Sequence, residues 1–177
     1  MSLLIGFAPF AAFALLERMG GTVAGLASAA AVSLAVLLRD VLIRRRPAKL
    51  LELGSLVLFG GLAAVTVAAG LRWSVLGVRL VVDAGLFTVV LLSLVVRRPF
   101  TLAYARERVP ATTWSTPRFL QVNVVLTAAW AAAFAVVVAS DMLMLWAPAV
   151  PRAVGIATTV AALAGALVFT TRYPPRA

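Results

Sequence analysis

Whatever chemistry this chain performs is done without cysteine or histidine, since neither occurs in its 177 residues. That excludes disulfides, thiolate nucleophiles, zinc–thiolate and iron–sulfur ligation, serine–histidine triads and bis-histidine haem. Six carboxylates are left: Glu17, Asp40, Glu52, Asp83, Glu107 and Asp141. Asp83 alone among them lies inside an apolar run, where an ionisable group is a candidate proton or cation relay. Arg79 precedes it by four residues. On a helix the two share a face and neutralise each other, and the nearby helix N-terminus favours the anion. The spacing therefore favours structural pairing over a relay. The remaining carboxylates are scattered singly beside Arg or Lys, whereas acid–base catalysis needs two groups within reach of one substrate. No Gly-containing break carries the Lys-Ser/Thr of a phosphate loop. The expectation is a non-enzyme with no cofactor, no metal and no catalytic residue.

Two other constellations could do physical work. Asn123, the only asparagine, is followed by Thr127, Trp130 and Phe134. Spacings of four, three and four place them on one helical stripe. A side-chain amide at membrane depth calls for an interhelical partner, so the stripe reads as a polar clamp, with substrate contact as the alternative. The second is RRPFTLAYARERVPATTWSTP, residues 97–117. It mixes Phe100, Ala103 and Tyr104 with Arg97, Arg98, Arg106 and Arg108. This suits a short helix lying in the inner membrane interface, its guanidinium groups on phosphates, with Trp114 anchored at head-group level. The segment is either a lipid-anchoring connector or a docking platform for a membrane or cytoplasmic partner.

The elements that position these residues are written in the composition. Hydrophobic residues make up 63% of the chain and charged residues 12%, about half the charge of an ordinary soluble domain. Apolar runs cover residues 3–16, 22–38, 50–71, 75–96, 119–140 and 153–170. The last five have the roughly 17–25 residues that a helix needs to cross hydrocarbon. The first is short and contains Pro9, so it is a short span, a tilted one or a re-entrant arm. It has no basic n-region and is followed by Glu17-Arg18, unlike a cleaved signal peptide. The runs do not alternate as barrel strands do. The expected fold is all-α, a polytopic transmembrane bundle of five to six helices. A short interfacial helix would precede helix five, and residues 1–177 would form a single integral membrane domain.

Charge then sets orientation. The net charge is +10, but the arginines flank apolar runs and form no soluble basic face, so nucleic acid is not an expected partner. Arg39, Arg44, Arg45, Arg46, Lys49, Arg97, Arg98, Arg106, Arg108, Arg118, Arg172 and Arg176 gather on one side of the threaded chain. Only Arg18, Arg72, Arg79 and Arg152 fall on the other. The richer side is expected to be cytoplasmic, with the C-terminus there and anionic head groups as partners. Local signals mark helix ends: Arg46-Pro47 and Tyr173-Pro174-Pro175 as stops, Thr116-Pro117 and Val150-Pro151 as starts. Ser140–Trp146 reads as an outer loop. Asp40 with Arg44, and Lys49 with Glu52, read as ordinary interfacial pairs.

The order of these pieces resembles the intracellular septation protein A family of small bacterial inner-membrane proteins. Phe7-Ala8-Pro9-Phe10 matches the family's Phe-x-Pro opening. Leu56-Val57-Leu58-Phe59-Gly60-Gly61 is similar to its apolar stretch ending in Phe-Gly-Gly. Arg98-Pro99-Phe100, Trp114, Asn123, the Trp130–Phe134 stretch and Phe169-Thr170-Thr171-Arg172-Tyr173-Pro174 follow in the family's order. The threonine after Gly-Gly is absent, the Asn-to-Trp spacing is longer, and the loop between Tyr104 and Trp114 differs. The resemblance implies a non-catalytic part in envelope maintenance and cell division through contacts with other inner-membrane proteins. The alternatives from the residues themselves are a small transporter or channel, and an accessory subunit of a larger membrane complex.

Overall fold

The computed structural model describes residues 5–147 and 149–173. Among these there are six α-helices and no strand: α1 (Ala8–Leu38), α2 (Leu50–Ala68), α3 (Val75–Val95), α4 (Phe100–Arg106), α5 (Pro117–Trp146) and α6 (Arg152–Arg172). A π-helical turn, Arg39–Ile43, extends α1, and a 3-10 turn, Ala111–Thr113, precedes α5. Five of these helices are long and apolar enough to cross a membrane. Only 11% of the most apolar window of α6, and 44% of that of α5, is buried in protein. Apolar helices with that much uncovered surface have hydrocarbon as their solvent. The protein is an integral, multi-pass, all-helical membrane protein. The chain divides into two compact units, one ending at Val78 and one beginning at Arg79.

In the first unit, α1 is broken by one residue. Gly21 has φ 81° and ψ 177°, a conformation essentially confined to glycine. The break turns the chain back on itself. A Cβ placed on Gly25 would stand 2.9 Å from the Cβ of Glu17 and 3.1 Å from its backbone. Eight residues apart on a straight helix they would be about 12 Å apart. Residues 8–20 thus form a short antiparallel arm of about 20 Å, less than the hydrocarbon thickness of about 30 Å. Pro9 is in the first turn of the helix, where its missing N–H costs nothing. Phe10 and Phe13 of the arm meet Phe59 of α2, with ring centroids 4.9 and 5.8 Å apart. Phe59, Leu26 and Ala29 are fully buried. What the structure shows of the first apolar run is a short helical arm folded back at Gly21. Residues 1–4, where that run begins, lie outside the described residues.

In the second unit, α5 packs against α6 and against the short α4. Thr116 caps α5, its hydroxyl accepting from the Phe119 N–H, and Pro117 is at the first helical position. At the start of α6 the signal is displaced by one residue, with Pro151 as the cap itself. Tyr173 closes α6; Pro174, Pro175 and Arg176 lie outside the described residues. The helix α5 runs six residues beyond the expected end. Ser140–Trp146 is not a loop: it contains no glycine or proline, and Met-Leu-Met-Leu propagates a helix. The sequence signal that ends it is Pro148, which disfavours helix at the residue before it. This extension carries Asp141 into the helix.

Candidate functional site

The polar residues of the second unit collect at two depths. The first cluster is built on Arg79, in the second turn of α3. Its Nε is 3.6 Å from Asp83 Oδ2, one turn further on, and 3.1 Å from Asp141 Oδ1 of α5. Its Nη2 donates a 2.8 Å hydrogen bond to the Thr159 hydroxyl of α6. Asp141 is fully buried, and Arg79 and Asp83 are partly exposed. Three helices are thus tied by one guanidinium. Counted at about 1.5 Å per residue, the four side chains start about 6–12 Å inside their helix ends. The expected Arg79–Asp83 pair is present, but it is not self-contained. Asp141, read from sequence as a loop residue, supplies a second carboxylate, so these acids are not scattered singly. Arg79 and Asp141 are 62 positions apart in the chain, beyond the reach of any helical periodicity.

The second cluster clamps α4 to α5. Asn123, Thr127, Trp130 and Phe134 are all buried, as one stripe. The Thr101 hydroxyl of α4 lies 3.0 Å from the Asn123 carbonyl oxygen and 2.9 Å from the Thr127 hydroxyl. Asn123 Nδ2 donates to the Phe119 carbonyl one turn back in α5 itself, so the expected interhelical bond is made by the Asn123 backbone carbonyl and not by its amide. Trp130 Nε1 donates to the Thr170 hydroxyl of α6 at 2.9 Å. The Phe100 ring packs edge-on to Trp130, at 6.5 Å, and to Tyr104, at 6.4 Å. Ser93 at the end of α3 accepts the Phe100 N–H.

The expected short helix before α5 is present, and one broad side of it is packed into protein. Phe100, Thr101, Leu102 and Tyr104 are buried in protein. At 100° per residue they span about 200° of the α4 circumference, more than the single face an interfacial helix would sink into lipid. Tyr104 belongs to that core and offers no surface to a partner. Arg97, Arg98, Arg106, Arg108 and Trp114 are exposed. The Arg106 guanidinium stands 5.3 Å over the Trp114 ring, and Trp114 Nε1 donates to the Val109 carbonyl. Arg97 ends α3 in the left-handed region, φ 55°, and the Arg98 N–H returns to the Ser93 carbonyl. The connector is therefore a basic, exposed rim over a packed helix.

The first unit holds a cluster that sequence reasoning took for two surface pairs. Asp40 lies in the π-helical turn and is fully buried, as Lys49 and Glu52 nearly are. Lys49 Nζ donates to both, to Asp40 Oδ2 in a short contact and to Glu52 Oε1 at 3.0 Å. Arg39 donates twice to Asp40 Oδ1, at 3.0 and 2.8 Å. Arg44 Nε stands 3.9 Å away. The π-turn, with i→i+5 bonding, is the sequence-invisible element here, and it carries both Arg39 and Asp40. Among the described residues no three acidic groups gather as metal ligands.

No protein-family model, no curated protein and no solved structure matches the chain.

Proposed function

We propose that this chain is a non-catalytic protein of the bacterial inner membrane that acts in envelope maintenance and cell division through contacts with other membrane proteins. One observation carries the reading. The Thr101 and Thr127 hydroxyls bond between α4 and α5, while Arg97, Arg98, Arg106 and Arg108 are left exposed along one connector. Exposed guanidinium groups before, on and after a packed helix, one of them stacked on Trp114, suit recognition of acidic head groups or a partner's carboxylates. The resemblance to septation protein A, and the arginine excess that assigns the connectors and C-terminus to the cytoplasm, agree with it.

The test is a deletion strain complemented with plasmid-borne variants, scored by cell length and outer-envelope permeability. Deletion should lengthen cells or raise permeability, and the wild-type gene should reverse it. Arg106→Lys with Arg108→Lys should insert normally yet restore less, because ammonium groups cannot form the bidentate contact. A deletion strain that matches its parent on both measures would contradict the reading.

A second reading, a small transporter, is favoured by the convergence of Asp83 and Asp141 on Arg79. Proton or sodium flux in proteoliposomes that vanishes in Asp83→Asn would support it, and absence of both fluxes in the wild type would count against it.

A further inference from the structure

Charge counting at Arg79 leads beyond packing. Asp83 and Asp141 are two carboxylates facing one guanidinium. The other group that α6 brings is the neutral Thr159, whose hydroxyl already accepts from Arg79. With both acids ionised the cluster carries one uncompensated negative charge inside a lipid-embedded bundle, a strongly disfavoured state. Asp141 is fully buried, so water cannot screen that charge. Its Oδ2 has no hydrogen-bond donor among the described residues, and Arg79 Nε brings an Asp83 oxygen, at 3.6 Å, and an Asp141 oxygen, at 3.1 Å, to one point. An acceptor oxygen without a donor, next to a second carboxyl, is the arrangement in which two acids share one proton.

We propose that Asp83 and Asp141 together hold one exchangeable proton. Bound between the two carboxyls, it brings the cluster to neutrality and gives the Asp141 oxygen its missing donor. A metal cation fits less well. Arg79 already occupies the electrostatic centre and would repel it. The site also offers too few free oxygens, given that sodium- or calcium-like ions take six or more. In chemical terms one carboxylate becomes a carboxylic acid and no other bond changes. The charged groups facing the pair are Arg79 from α3 and each acid toward the other, so Arg79 sets the stoichiometry at one.

That stoichiometry makes the proposal testable. Infrared spectra are recorded on the full-length protein in dodecyl maltoside, which carries no ester carbonyl, at neutral pH, where surface carboxyls are ionised. The wild type should show the C=O stretch of one protonated carboxyl, and the band should shift on transfer to deuterium oxide. Asp83→Asn and Asp141→Asn should each abolish it, because the remaining acid is then neutralised by Arg79 alone. Asp40→Asn, in the other cluster, should leave it. Asp83→Glu and Asp141→Glu, which preserve the charge count, should keep a band at a displaced frequency, and they secure the test should an Asn variant fail to fold. A wild-type spectrum without the band, a band that survives either Asn variant, or one that neither Glu variant displaces would overturn the proposal. Absence of proton flux would not, since binding and transport are separate outcomes.

Discussion

Lys49 is the residue whose removal the structure lets one cost most directly. It is buried and donates to two buried carboxylates, Asp40 and Glu52. Removing one member of a buried ion pair costs about 3–5 kcal/mol, chiefly because the partner's charge stays buried and unmatched. The two partners fare differently in Lys49→Met. Asp40 keeps both hydrogen bonds from Arg39, at 3.0 and 2.8 Å. Glu52 loses the donor of its Oε1, while its Oε2 already lacks a partner. Only one of the two charges is therefore orphaned, which places Lys49→Met near the lower end, at about 3 kcal/mol. Adding Glu52→Leu removes the orphan, and the double variant should recover about 2 kcal/mol of the loss, since an apolar pair tolerates burial. The assay is titration of purified protein in mixed micelles with sodium dodecyl sulfate, followed by far-ultraviolet circular dichroism, across the four members of the cycle. Additive effects of the two substitutions, or a Lys49→Met loss of less than about 0.5 kcal/mol, would refute the reasoning.

Three further outcomes follow from single positions. Gly21→Ala places a side chain in a glycine-only conformation and should destabilise by about 1–3 kcal/mol, whereas Gly60→Ala, mid-helix with open space around it, should be neutral or stabilising by up to about 1 kcal/mol; the same denaturation assay separates them. Thr101→Val removes the hydroxyl that ties α4 to Asn123 and Thr127 and should cost about 1–3 kcal/mol, read most sensitively as faster proteolysis in the residue 97–117 connector. Arg97→Gly relieves a left-handed non-glycine residue at the end of α3 and should raise stability by about 1 kcal/mol, a gain visible as a higher detergent-denaturation midpoint.

The spans were legible because lipid imposes a simple rule: long apolar runs with polar breaks. The Asn123–Phe134 stripe and the Thr116-Pro117 start were readable for the same local reason, since periodicity and capping act within a few residues. What sequence could not show depends on tertiary distance. The Arg79–Asp141 contact joins helices separated by the whole of α4 and most of α5. Asp141 follows the end of the apolar run at Ser140, yet without glycine or proline the helix continues until the Pro148 signal. Tyr104 was assigned to a surface because its arginine neighbours are exposed, while α4 is too short and too deeply packed for its neighbours to report on it. The Asp40–Lys49–Glu52 network hid behind two plausible short-range pairs, and only the π-turn brings them into one.

The arginine excess predicts that the arginine-rich connectors are cytoplasmic, and the absence of native cysteine makes their sidedness directly measurable. Single cysteines placed at Ala48, Leu71, Ser115 and Ala149, all exposed positions between helices, can be probed in intact spheroplasts with a membrane-impermeant maleimide. The prediction is labelling of Leu71→Cys and Ala149→Cys from outside, with Ala48→Cys and Ser115→Cys protected until the membrane is permeabilised. Labelling of Ala48→Cys or Ser115→Cys in intact spheroplasts, or equal labelling at all four positions, would contradict it.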